Sequence, residues 1–109
     1  MDTRLGTVRI ARGSLYLDRA LCERYLPRVD SVALLLRDGR IALLPLHGTP
    51  GGGLLLKVRN ARGDRVIHAP DFLRTLGIEE SAAELQLPAR WDDGAAGLIL
   101  DSAVTTARE

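Results

Sequence analysis

Val8-Arg9-Ile10-Ala11-Arg12-Gly13 recurs as Val58-Arg59-Asn60-Ala61-Arg62-Gly63, at an offset of fifty and without a gap. The alignment continues through Leu17/Ile67, Cys22/Phe72, Arg24/Arg74 and Leu26/Leu76, and seven of the nineteen positions from 8 to 26 are identical. Self-similarity on this scale marks a repeated supersecondary unit. A unit of about fifty residues buries too little apolar surface to stand alone. The two copies must therefore share one core.

Each copy reads as the same series of elements. In the first, Thr7–Ile10 and Leu15–Leu17 are strands around the turn Ala11-Arg12-Gly13. A short helix follows over Arg19–Tyr25, with Asp18 as N-cap and Leu26-Pro27 as its stop. Val32–Leu36 and Ile41–Leu44 then form a hairpin through Arg37-Asp38-Gly39-Arg40, because Asp-Gly supplies the left-handed pair of a type I′ turn. In the second copy, Leu54–Arg59 and Arg65–Ala69 flank the turn Asn60–Asp64. A helix runs from Pro70, at N1, to Leu76, with Gly77 at C′. Glu84–Leu87 and Gly97–Leu100 make the last hairpin, turning near Trp91-Asp92-Asp93-Gly94. Pairing the hairpins of both copies into one closed barrel leaves few edges. The expected fold is thus mainly β with two short helices. Its halves are 1–46 and 54–101, interlocked as one domain, with a Gly-rich linker at 47–53 and a polar, disordered tail at 102–109.

This order of elements resembles the AbrB/MazE/MraZ family, whose swapped-hairpin barrel is built from two such units. The second half carries Val58-Arg59, Gly63-Asp64-Arg65-Val66-Ile67, Pro70 and Arg74-Thr75-Leu76-Gly77-Ile78; the first carries Val8-Arg9, Gly13, Leu15-Tyr16-Leu17, Arg24, Leu26 and the Asp38-Gly39 hairpin. Ser14 replaces the arginine expected after the glycine, Asp18 replaces the proline, and the second half needs a one-residue shift between Ile67 and Pro70. The resemblance implies a fused pseudo-dimer in which one chain supplies both halves. It further implies a DNA-binding transcriptional regulator or an antitoxin-type protein. The implied contacts to double-stranded DNA are Arg9, Arg12, Lys57, Arg59, Arg62 and Arg65.

Composition narrows the alternatives. Of 109 residues, 46% are hydrophobic and 27% charged, the balance of a globular chain. The net charge is +1, split into +3 over 1–50 and −2 over 51–109, so the chain is not strongly basic. Its cations are fourteen arginines and Lys57, a bias suited to bidentate phosphate or carboxylate contacts. Four aromatics, Tyr16, Tyr25, Phe72 and Trp91, are too few and too scattered for a single-strand stacking platform. The start of the chain lacks an apolar leader and no run is long enough to span a bilayer, which predicts a cytoplasmic protein without a membrane partner.

Catalysis is not expected, and no cofactor or metal is implied. Cys22, the single cysteine, aligns with Phe72 and reads as a core position. His47 and His68 have no metal-ligand spacing, and Asp92-Asp93 reads as a turn. Thr49–Gly53 lacks the Lys-Ser/Thr ending of a phosphate loop. The alternative to a DNA-binding role is a non-catalytic interaction module or an accessory subunit of a larger enzyme, with a protein partner. Leu34-Leu35-Leu36 and Leu54-Leu55-Leu56 support it, because such triplets put apolar groups on both sheet faces. It predicts an exposed apolar patch, whereas the DNA reading predicts arginines gathered on one face. The chain is then a pseudo-dimeric monomer, or a homodimer of it.

Overall fold

Turn chemistry and apolar alternation act together from the first hairpin onward. The computed structural model describes residues 4–47 and 53–101, with the side chains from Gly6. Strands β1 (Arg4–Ala11) and β2 (Ser14–Leu17) pair antiparallel, Arg9 opposite Tyr16 and Ala11 opposite Ser14. Arg12 at φ 51° and Gly13 at φ 77° supply the two left-handed residues of a tight hairpin turn. Helix α1 (Arg19–Tyr25) begins as expected: the Asp18 carboxylate accepts a hydrogen bond from the Leu21 amide at 2.8 Å. Strands β3 (Ser31–Arg37) and β4 (Arg40–Leu46) turn through Asp38 at φ 53° and Gly39 at φ 79°. Then follow β5 (Leu54–Leu55), β6 (Lys57–Val58), β7 (Arg65–His68), α2 (Pro70–Thr75), β8 (Leu85–Asp92) and β9 (Gly97–Leu100). Gly77, at φ 82°, ends α2 from the C′ position.

The strands form one antiparallel sheet in the order β5-β3-β4-β9-β8-β1-β2-β7-β6. Its two ends are consecutive in the chain. Leu56, between β5 and β6, donates its amide to the Asp30 carbonyl at 2.8 Å, and β5 pairs with β3 while β6 pairs with β7. A single bent ribbon therefore nearly closes the sheet into a barrel. The sharing of strands is reciprocal. β1 pairs with β2 of its own half and with β8 of the other, and the ribbon at 54–58 pairs through β6 with β7 of its own half and through β5 with β3 of the other. The β2–β7 ladder pairs Tyr16 with Val66, two residues that are themselves fifty apart, so the repeat maps this ladder onto itself.

The barrel interior takes one face of every long strand. Val8, Ile10, Leu15, Leu17, Ile41, Leu43, Ile67, Leu98 and Leu100 are each at most 1% exposed. Leu21 and Cys22 from α1 and Leu73 from α2 join the same core. The N-caps Asp18 and Ala69 stand fifty-one apart, so the helices follow the one-residue shift after Ile67 and Cys22 matches Leu73 in place rather than Phe72. Each turn glycine packs on the helix start of the other half. A Cβ on Gly13 would lie 3.1 Å from the Pro70 Cβ, and one on Gly63 would lie 3.3 Å from Arg19 Cδ. The repeated glycine is thus explained by close approach and left-handed backbone.

Three features depart from the sequence reading. The expected strand 54–59 breaks at Leu56, because its two parts serve different neighbours. β8 runs from Leu85 to Asp92, past the expected end at Leu87, and the turn lies after it. Pro88 stands at the end of the β8–β9 ladder, where its carbonyl still accepts the Asp101 amide at 2.6 Å and only the missing N–H is lost. The hairpin of the second copy is also two residues out of step with the first. Val58 faces Arg65, where the repeat would set it against Ile67, because Asn60 organises a longer turn. Of the apolar triplets, Leu36 is 46% and Leu55 59% exposed, while Leu56 is buried. Most of the linker, 48–52, and the tail, 102–109, lie outside the described residues. Among the described residues no helix is long and apolar enough to cross a membrane.

Candidate functional site

The self-paired ladder sets a row of side chains across the outer sheet face. Lys57 on β6 stands opposite Val66 on β7, Val66 opposite Tyr16 on β2, Tyr16 opposite Arg9 on β1, and Arg9 opposite Gln86 on β8. Their chain neighbours Val8, Leu15, Leu17 and Ile67 point into the core, so strand alternation turns this row outward. Arg59 enters from the end of β6. The Arg9 guanidinium lies 4.3 Å and that of Arg59 4.9 Å from the centre of the Tyr16 ring. Two arginines fifty positions apart thus meet on one aromatic ring at the centre of the repeat. Each such contact is worth about 0.5–1 kcal/mol at an exposed site. The pair also concentrates positive charge, which favours an anion beside it.

The ring and both arginines line a cleft of about 180 Å³, together with Asp18 and Asp64. Both carboxylates are engaged. Asp18 caps α1. Asp64 accepts from the Arg19 amide at 2.9 Å, from Asn60 Nδ2 at 3.0 Å and from Arg62 Nη2 at 3.1 Å. The turn of the second half therefore ties down the helix start of the first. Arg9 also contacts Glu84, at 3.3 Å. The Glu84 carboxyl is held below its ordinary range by the Gln86 hydrogen bond first, and then by Arg9.

The six arginine and lysine positions singled out from the sequence divide into groups. Arg9, Arg59 and Lys57 belong to the outer face around Tyr16. Arg12 sits at the tip of the first turn, exposed. Arg62, at the tip of the second, is 78% exposed and paired with Asp64. Arg65 is half-buried and donates Nη1 to the Leu56 carbonyl at 3.1 Å, across the closing ribbon. Tyr16 and Asp64 were not among the residues singled out. Tyr16 stands between the arginines only through the β2–β7 register, which pairs it with Val66 and which the sequence does not display. Nothing in the sequence marks Asp64 as a cap for a helix forty-five residues away.

Asp64 carries a pH prediction. Its carboxyl is held below the usual carboxylate range by the Asn60 hydrogen bond first, then by the Arg19 amide and by Arg62. A group with a depressed folded-state value contributes stability above its unfolded value and loses it as pH falls through the folded one. Acid unfolding of Asp64→Asn is expected to be less steep below about pH 4 than that of the parent. Circular dichroism melts from about pH 6 to pH 2.5 check this, and an unchanged profile would assign the acid sensitivity to other carboxylates.

The remaining chemistry-bearing residues have local partners. The Cys22 thiol is buried and pushed up to about 11, chiefly by burial. Ser14 Oγ and His68 Nδ1 lie 3.1 Å apart across the β2–β7 ladder. Asp92 accepts from the Gly94 amide and Asp93 from Trp91 Nε1, both within the last turn. Among the described residues no group of three or more His, Cys, Asp or Glu is placed to hold a metal ion. No protein-family model, no curated protein and no solved structure matches the chain, so its own geometry carries any functional reading.

Proposed function

We propose that the outer face of β6-β7-β2-β1 is a recognition surface for double-stranded DNA, and that the chain is a fused pair of AbrB-type swapped-hairpin halves acting as a transcriptional regulator or antitoxin-type protein. The observation that carries this reading is the meeting of Arg9 and Arg59 on Tyr16. Guanidiniums held at a fixed separation suit phosphates or guanine edges at a fixed separation. Lys57 extends the row, and Arg12 and Arg62 stand at the turn tips. Cations outnumber carboxylates on this face, but Glu84 and Asp64 must yield contacts to an incoming phosphate. Binding of moderate affinity with strong salt dependence follows.

Fluorescence anisotropy tests it, with a duplex from the DNA upstream of the protein's own gene and a scrambled duplex as control. Tighter binding to the upstream duplex at about 50 mM salt, fading towards about 200 mM, is the expected result. Absence of binding to either at the low-salt end would remove the DNA reading. A second reading, a non-catalytic interaction or accessory module, rests on the closing ribbon. There Leu55 is 59% and Val58 64% exposed, on either side of buried Leu56. That reading gains if DNA binding is absent and a protein partner is lost on Leu55→Ser.

A further inference from the structure

A second cavity, of about 310 Å³, lies between α1, the Pro27-Arg28 corner and the Gly63–Arg65 strand start. Its size is at the lower end of the range that small-molecule sites occupy, about 300–1,000 Å³. The apolar part of its wall is Cys22 and Leu26, which are 5% and 3% exposed. The raised thiol makes Cys22 a neutral wall rather than a nucleophile.

The charged lining is three arginines, Arg19, Arg28 and Arg65, against one carboxylate, Glu23. Half-buried Arg65 gives one N–H to the Leu56 carbonyl, and among the described residues no carboxylate forms an ion pair with it or with Arg28. The carboxylates acting on this region are Asp18, Asp64 and Glu23; Glu23 lines the cavity too, but as the ion-pair partner of Arg19, and all three are engaged. Asp18 caps Leu21, Glu23 binds Arg19 at 2.7 Å, and Asp64 holds Asn60, Arg62 and the Arg19 amide. A half-buried guanidinium without a counter-charge is costly. Arg28 lines the same cavity with a left-handed φ of 60°, a conformation that a non-glycine residue adopts at a cost.

The related place in the other half is covered. The connection from α2 to β8, residues 76–84, is longer than that from α1 to β3, residues 26–30. Glu80 from this longer connection packs beside Gly13, at 3.2 Å from where its Cβ would be, whereas the nearest atoms to Gly63 are those of Arg19.

The geometry points to a binding site for a small organic oxyanion, with its carboxylate or phosphate head between Arg65 and Arg28 and a short apolar body against Cys22 and Leu26. Planar guanidiniums bind either head through paired N–H donors. This assignment is independent of whether the outer face binds DNA.

The test is an amide NMR titration of the full chain with hexanoate, hexyl phosphate and hexanol. One or both anions are expected to shift the amides of Leu26, Arg28, Gly63 and Arg65, with affinity in about the millimolar range, while hexanol does not. Response to one anion alone identifies the headgroup and supports the site. Arg28→Gly is expected to stay folded, because glycine suits the left-handed backbone, and to weaken anion binding about tenfold. Arg65→Gln should weaken it as well, but it also removes the contact to Leu56, so Arg28→Gly is the deciding variant. Equal binding of hexanol, unchanged affinity in Arg28→Gly, or no localised shift at about 10 mM of any probe would overturn the assignment.

Discussion

Gly97→Ala is expected to lower the unfolding free energy by about 3 kcal/mol, at the upper end of what overpacking costs. Gly97 opens β9 where it runs beside β4. A Cβ there would meet a Leu44 methyl and stand 2.7 Å from the Leu43 carbonyl oxygen. The leucine side chain can move aside, but the carbonyl belongs to a ladder that pairs Leu43 with Leu98. Relief requires β4 and β9 to separate, and that junction joins the trailing hairpins of the two halves. Gly94→Ala, three residues earlier, is the control. Its nearest neighbour is Asp92 Oδ1 at 3.4 Å and its backbone is not left-handed. It should change stability by less than about 0.5 kcal/mol. Urea denaturation of both variants checks the contrast, and similar midpoints would show that β4 and β9 are not in close contact.

Arg9→Ala combined with Arg59→Ala is expected to weaken duplex binding about a hundredfold at low salt, if each guanidinium contributes the usual 1–3 kcal/mol. Because both lie on Tyr16, the single substitutions should not add independently. Tyr16→Ala should weaken binding too, by releasing both arginines. Arg37→Ala is the control, since it sits at the exposed end of the β3–β4 hairpin. Anisotropy titrations at one salt concentration, with thermal melts to confirm folding, separate a lost contact from a lost fold. Equal loss in Arg37→Ala would point to diffuse charge rather than to a built face.

Local chemistry was the legible part of this fold. Asp18 before an amphipathic turn, Pro70 at a helix start, Gly77 at a helix end and Asp38-Gly39 between apolar runs each act within a few residues, and each is found in its expected role. What escaped depends on residues far apart in sequence. Glu84–Leu87 looks like the whole strand until pairing with β1 and β9 carries it to Asp92. Leu54–Arg59 looks like one strand until closure requires it to change neighbours at Leu56. The same holds for the candidate site. The repeated Val-Arg-x-Ala-Arg-Gly marked Arg9 and Arg59, but not that they share Tyr16, nor that Arg65 turns to Leu56 and Arg62 to Asp64. The motif recurs gap-free, yet its turns differ, because Asn60 builds a side-chain-bonded loop where Ile10 continues a strand.

The most direct test of the central claim, that the two halves meet in one phosphate-binding face, is the salt dependence of duplex affinity in the parent and in the Arg9→Ala, Arg59→Ala double variant. Over about 50 to 200 mM salt, the slope of log affinity against log salt should fall by about two in the double variant, one for each phosphate contact removed. A double variant that keeps the parent's slope and affinity would contradict the claim.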